Sequence, residues 1–305
     1  GIQSERVLDS DTVFRLQQVP EKIAIIGGGY IGLEFACFFN EAGSQVTVFE
    51  MLPNIAMGSD SQISSRLLET LKRKGVEFKL GCGVRKIDGD VVDYGDGSMA
   101  VDCILNATGR VPVLNDIGVE DVGVDFGAKG IRASDQGKTN VPGIFACGDV
   151  TGRRMLAHAA TREGIVAVHT MFGKKDRIRY GAVPAVIYTH PEVASVGKTE
   201  EELKAEGTPY AASTVPMNVA GRFLIENEGV NGFVKVLTGT RYGEILGVHA
   251  IGDGSSEFIV AAAAMIETEM TAPQASDIIF PHPTVSEALR EAIAASVHVG
   301  VTSNA

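Results

Sequence analysis

The stretch KIAIIGGGYIGLEFACFF, Lys22 to Phe39, restricts what this chain can fold into more than any other. A run rich in isoleucine leads into Gly27-x-Gly29-x-x-Gly32 and then into a helical apolar pattern. In such a turn the first glycine permits the tight bend and the second lets backbone approach a pyrophosphate. The third lets helix and strand pack closely. N–H groups exposed at the helix start meet phosphates with a favourable dipole. The spacing therefore predicts the opening of a dinucleotide-binding unit. Glu50 ends the next apolar strand, SQVTVFE, eighteen residues past Gly32. A carboxylate there accepts hydrogen bonds from ribose hydroxyls and repels a 2′-phosphate. With no arginine directly after it, NAD is favoured over NADP. FAD also sits on such turns, so this one leaves NAD and FAD both open.

Periodicity, glycines and prolines divide the chain into three regions. From Pro20 to about Arg110, strand and helix alternate. Helices are predicted over Ile31–Ala42 and over SQISSRLLETLKRKG, where Ile63, Leu67, Leu68 and Leu71 share a face and Gly75 stops the helix. VEFKL is a third strand, and three short strands follow around the turns IDGDV and YGDGS. VDCILNATG closes a βαβαβ unit with an inserted antiparallel meander. From Val111 to about Tyr180, GIFACGDV reads as a buried strand and Leu156–Met171 as a helix. From Ala182 onward, strands at PAVIYT, EVASVGK, GFVKVLT and EILGVHAIG mix with helices at Glu200–Glu206, Ser255–Glu269 and Thr284–Ala295. That order predicts an α+β domain with an open antiparallel sheet.

Composition narrows the function classes. A length of 305 residues, 45% hydrophobic and 21% charged, suits two or three ordinary compact units. A net charge of −11 without a basic stretch argues against nucleic acid or an anionic membrane as partner. The longest apolar run, IVAAAAMI from Ile259, is too short to span a bilayer. The first residues show no leader pattern, so a cytoplasmic protein is expected. Cys37, Cys82, Cys103 and Cys147 lie too far apart for a zinc or redox pair. Four reduced, mostly buried thiols and no metal site are expected.

The motifs GGGYIGLE, VFEMLP, NATGRVP, TNVPGIFACGDV, MLAHAA, IYTHPEVASVGKT and FPHPTVSEAL occur in order between about Val7 and Ala295. Together they resemble the class I pyridine nucleotide–disulfide oxidoreductases, and within them the dihydrolipoamide-oxidising branch. The resemblance implies an α/β chain: a Rossmann-type NAD domain, a partial FAD domain and an α+β C-terminal dimerisation domain. The implied spans are a strap over 1–20, the NAD domain over 21–113, part of the FAD domain over 114–180 and the interface domain over 181–305.

The resemblance assigns GGGYIG to NAD. Gly27, Gly28, Gly29, Tyr30, Ile31, Gly32 and Glu34 would line phosphates and nicotinamide, Glu50 the adenosine ribose, and Val84 and Gly109 the border of the cofactor. Tyr30 would cover the flavin until NAD arrives. Asp149 would accept hydrogen bonds from the FAD ribityl chain. Met155, Leu156, Ala157 and His158 would open a helix whose positive end faces the flavin pyrimidine. His282 and Glu287, five apart in HPTVSE, would be the acid–base pair: the carboxylate fixes the imidazole, which removes a thiol proton and returns it. The remaining histidines, His190 among them, and the ring of His158 are expected to be structural.

The family also uses an N-terminal glycine turn for FAD, a Cys-x-x-x-x-Cys pair and a lysine after it, and these 305 residues contain none of them. The expectation is therefore the C-terminal two thirds of such an enzyme, inactive alone. The parent would oxidise dihydrolipoamide to lipoamide through FAD and reduce NAD to NADH. It would be a homodimer, with the interface domain offering His282 and Glu287 to the partner subunit. Its protein partner would be the lipoyl-bearing component of a 2-oxo acid dehydrogenase or glycine cleavage complex. Other readings are an NAD-binding, dimerising module without catalysis and a flavin transhydrogenase lacking the cysteine pair. Glu50 disfavours a glutathione enzyme, and His282–Glu287 disfavours a mercuric one.

Overall fold

A computed structural model describes residues 7–95, 97–227, 229 and 231–302, with side chains to 297. Residues 1–6 of the expected strap, Asp96 of the YGDGS turn and the end of the interface region at 303–305 lie outside the described residues. The chain forms two compact units. One joins the residues up to Gly109 with those from Val186 onward, and the other is Arg110–Ala185.

The first unit opens with β1 (Val7–Leu8), β2 (Lys22–Ile26), α1 (Tyr30–Glu41), β3 (Gln45–Glu50), α2 (Ser61–Arg73) and β4 (Glu77–Leu80). The meander β5 (Val84–Asp88), β6 (Val91–Tyr94) and β7 (Gly97–Ala100) follows, and then β8 (Cys103–Asn106). The sheet order is β1-β8-β2-β3-β4, all parallel, with Ile25 between Val48 and Leu105. Successive side chains of a strand point to opposite faces, so a sheet covered on both faces needs apolar residues throughout. Ile23 and Ile25 pack under Leu33, Ala36, Ile63, Leu67 and Leu71 of the two helices. Ala24 and Ile26 face the meander through Ile87 and Val92. Asp60 caps α2 by accepting from Gln62 N, and Gly75 at φ 101° ends it.

In Arg110–Ala185 the described strands are the two-residue β9 (Phe126–Gly127) and β10 (Gly130–Ile131), followed by α3 (Ala157–Met171). GIFACGDV does not form the expected strand. Among the described residues it has a single bridge, Lys138 to Phe145, and then a 3-10 turn over Gly148–Thr151. A short apolar run shows burial but not strand partners. Here Gly143 at φ 84° and Gly148 at φ 76° bend the backbone on both sides of the bridge.

The chain then returns through β11 (Ala185–Ile187), β12 (Val193–Gly197), α4 (Glu200–Glu206), β13 (Tyr210–Pro216), α5 (Gly221–Glu226), β14 (Phe233–Gly239) and β15 (Ile245–Ile251). It ends in α6 (Ser255–Glu267), α7 (Ala272–Ser276) and α8 (Glu287–Thr302). The sheet order is β11-β12-β15-β14-β13, antiparallel from β12 onward. α6 and α8 cover one face through Phe258, Ile259, Ala262, Leu289 and Ile293. Phe233 and Ile251 join the core of the parallel sheet, so β14 is buried along its whole length. β13 has no counterpart in the sequence reading. Its buried position is Ser213, whose hydroxyl donates to Ala292 O, so the strand lacks an apolar alternation. No helix among the described residues is long and apolar enough to cross a membrane.

Candidate functional site

The turn after β2 is shaped by contacts that admit no side chain. Gly27 lies at φ 110°, and a Cβ on it would stand 2.3 Å from Ala107 O. A Cβ on Gly32 would stand 2.0 Å from Gly27 O. A Cβ on Gly29, the N-cap of α1, would meet nothing within 4 Å, so that backbone faces open space. No side chain among the described residues caps the helix, leaving its first N–H groups toward that space. Glu50 closes the other side: Oε2 accepts from Gly28 N at 2.7 Å and Oε1 from Leu52 N at 2.8 Å. Gly27, Gly28, Gly29, Glu50, Val84 and Gly109 meet around one cleft of about 300 Å³. Glycine backbone, a helix N-terminus and a fixed carboxylate fit an adenosine diphosphate moiety. The sequence reading missed Met51, Met57, Cys82 and Thr108, which also line the cleft.

Tyr30, Ile31, Gly32 and Glu34 lie in the first turns of α1. Tyr30 is half-buried and packs on the core. Glu34 Oε1 accepts from Tyr188 N at 2.9 Å, and burial pushes its carboxyl above the usual range.

In the second unit, Asp149 sits exposed on the 3-10 turn. Beneath it Gly148 N donates to Glu163 Oε2 at 2.5 Å, and Tyr180 Oη donates to Glu163 Oε1 at 2.8 Å. Glu163 is buried, and the sequence reading did not single it out. Met155 and Leu156 are half-buried ahead of α3, Ala157 and His158 are exposed at its start, and no side chain caps it. His158 Nε2 donates to Pro184 O at 2.8 Å. An exposed carboxylate on a braced turn and an open helix N-terminus fit the polyol and pyrimidine ends of a flavin.

His282 Nδ1 lies 2.8 Å from Glu287 Oε1, while Glu287 Oε2 accepts from Thr284 N at 3.0 Å. That backbone donor, with His282 behind it, holds Glu287 below the usual carboxylate range. The His282 side chain is 77% exposed, so with Nδ1–H donating to the carboxylate the Nε2 edge of the ring is the one left open. These contacts occupy the turn over Thr284–Ser286, and α8 begins at Glu287 rather than at Thr284. Beside it an apolar groove of about 470 Å³ is lined by Phe258, Ala261, Ala264, Ile278, Ile279 and Phe280. His190, expected to be structural, forms a similar pair with Asp253 at 2.6 Å. Cys37 and Cys103 are buried, Cys82 is half-buried and Cys147 is exposed, so only part of the set matches the expected burial.

The chain matches the family described as pyridine nucleotide-disulphide oxidoreductase over residues 1–164 and that family's dimerisation domain over residues 183–293. It is 38% identical over 301 residues to Dihydrolipoyl dehydrogenase 3 of Pseudomonas putida, covering 95% of this chain and 64% of the relative. It is 37% identical over 304 residues to the mitochondrial dihydrolipoyl dehydrogenase of Sus scrofa, covering 95% and 60%. The chain thus spans less than two thirds of the length of these relatives. Among solved structures it is similar to LpdA from Mycobacterium tuberculosis (TM-score 0.89, 26% identity, 95% of this chain and 65% of that one). It is also similar to the HOCl-induced flavoprotein disulfide reductase RclA from Escherichia coli (TM-score 0.88, 26% identity, 96% and 69%).

Proposed function

The chain belongs to the pyridine nucleotide–disulphide oxidoreductases, and on that premise we propose that it serves the NAD-dependent oxidation of dihydrolipoamide to lipoamide. FAD and NAD are the cofactors of this family. The observation that carries the reading is the His282–Glu287 pair at 2.8 Å, with the Nε2 edge left open. A base held this way suits removal of a thiol proton, which is the first need of a dithiol oxidation.

Each residue then has a task. The Gly27–Gly29 backbone and the start of α1 bind the NAD phosphates, Glu50 accepts from the adenosine ribose, and Val84 and Gly109 border the cleft. Tyr30, Ile31 and Glu34, in the first turns of α1, would line the nicotinamide end. Asp149 and the start of α3, from Met155 to His158, receive the flavin. When bound, FAD supplies the two-electron carrier between dithiol and NAD. His282 Nε2 takes the thiol proton and returns it, while Glu287 keeps the Nδ1–H oriented and stabilises the imidazolium. Glu287 is suited to this because it stays ionised.

The dimerisation-domain match supports a homodimer, and the apolar groove beside His282 suits the contact face. The protein partner would be a lipoyl-bearing component of a 2-oxo acid dehydrogenase or glycine cleavage complex, met in the cytoplasm.

A second reading is an NAD-binding, dimerising module. Burial pushes the Cys37 and Cys103 thiols up, which makes them poor nucleophiles and favours this reading. A visible spectrum, an NAD titration and a lipoamide assay on the purified chain separate the two. Flavin absorption with lipoamide turnover supports the enzyme, whereas a colourless chain that binds NAD supports the module.

A further inference from the structure

Two residues of the dinucleotide cleft carry chemistry the proposed reaction does not use. Met51 follows Glu50, and Met57 lies six residues on. Both line the cleft with the glycine turn, yet they are 77% and 64% exposed. Other methionines provide contrast. Met217 and Met265 are sealed in the core, and Met171 is exposed on α3 in the other unit. Glu50 is fixed by Gly28 N and Leu52 N, which sets the ribose end of the cleft directly beside Met51. Phe49, Met51, Leu52, Met57 and Val84 supply the apolar surface there. Thr108, the hydroxyl donor at the cleft, is engaged with Asn106 Oδ1 at 2.8 Å.

We propose that Met51 and Met57 form a peroxide-sensitive modification site, and that their oxidation closes the cleft to the dinucleotide. The inference rests on the reading of this cleft as the NAD site. In the oxidation a thioether lone pair attacks one oxygen of hydrogen peroxide. The S–O bond forms as the O–O bond breaks, the sulfur loses two electrons, and the peroxide is reduced to water. The sulfoxide puts a polar, chiral group on a surface that was apolar, beside a carboxylate. Covering that group with the face of an adenine ring removes its hydration and offers only π-surface in return, which weakens binding. A sulfoxide reductase working with a dithiol reverses the step, forming a disulfide and water as the thioether returns.

The test treats the chain with hydrogen peroxide, maps oxidation by peptide mass spectrometry and titrates NAD by calorimetry before and after. Met51 and Met57 should oxidise ahead of Met217 and Met265, and bound NAD should slow them. The Kd for NAD should rise about tenfold and recover after treatment with both methionine sulfoxide reductases. The same loss in C82S separates the effect from the nearby thiol. M51L/M57L should show one affinity before and after peroxide, whatever that affinity is. Unchanged NAD affinity with both methionines oxidised would overturn the inference and leave the NAD reading standing. So would resistance of both residues to peroxide, or an undiminished peroxide effect in M51L/M57L. An untreated chain that binds no NAD would remove the NAD reading, and the inference with it.

Discussion

Lys235 Nζ lies 2.8 Å from Asp60 Oδ2, and both side chains are sealed from solvent. Lys235 comes from β14, Asp60 is the N-cap of α2, and Glu200 of α4 completes the cluster. The ion pair therefore ties the antiparallel sheet to the helix layer of the parallel sheet. Removing one partner of a buried pair leaves a charge that neither water nor protein neutralises. K235M should cost about 3–5 kcal/mol by urea denaturation. K235M/D60L should be less destabilised than the sum of its single variants. Strict additivity would mean that the two charges do not depend on each other.

Glu200 gives a first pH signature. Lys204, then Lys235 and Tyr210, hold its carboxyl down to about 2 from an ordinary 4.5. A folded value below the unfolded one means that the unfolded chain takes up the proton first as pH falls. The stability contributed by Glu200 should thus be complete above pH 4.5 and drain away between 4.5 and about 2. Urea midpoints across that window should slope more steeply in wild type than in E200Q.

His249 acts in a separate window. Its Nε2 donates to Lys198 O at 2.8 Å, its Nδ1 is buried without a partner among the described residues, and burial pushes its pKa below 6.5. The unfolded imidazole protonates first as pH drops below 6.5, so stability should begin to fall there. H249F should remove that part of the slope, as read from melting temperatures between neutral and mildly acidic pH.

At the cleft, E50A should weaken NAD binding about tenfold or more, since a charged acceptor for the ribose hydroxyls is lost. NADP, no longer repelled by the carboxylate, should lose less or gain. Calorimetric titration with both dinucleotides checks this, and equal losses would remove Glu50 from the ribose.

In a preparation that turns over lipoamide, H282Q should lose roughly 10²–10⁴-fold in rate, the span of a general base. NAD affinity should hold, because the pair lies in a different part of the chain from the glycine turn. E287Q should cost less, since the imidazole remains and only its orientation and charge support are reduced. An undiminished rate in H282Q would take His282 out of the chemistry.

What the sequence made legible follows from where each signal is stored. α4 was readable at both ends, because Thr199 forms a capping box with Glu202 and Gly207 ends the helix at φ 66°. The glycine turn and Glu50 were readable because one residue type satisfies a backbone demand at a fixed spacing. The contacts missed are tertiary. Glu163 reaches Gly148 across fifteen residues, and His190 reaches Asp253 from a separate loop. Lys235 inside FVKVLT looks like an exposed position of a half-buried strand until α2 covers that face. GIFACGDV failed for the opposite reason: its apolar character was real, but the strand partners it needed are absent among the described residues.

The floor of the cleft is joined from distant parts of the chain. Ala107 N donates to Ile26 O beside the glycine turn, and at the far end of the same strand pair Lys22 N donates to Asp102, 80 positions away. Between them the chain must lay down two helices, two strands and the meander. Closing so long a loop carries an entropic cost that precedes any reward from the contact, so this seam is expected to close after the local hairpins and helices. The cleft at the glycine turn should consequently be among the later features to form during folding. A ligand that grips it should lengthen the life of the native chain without hastening its birth.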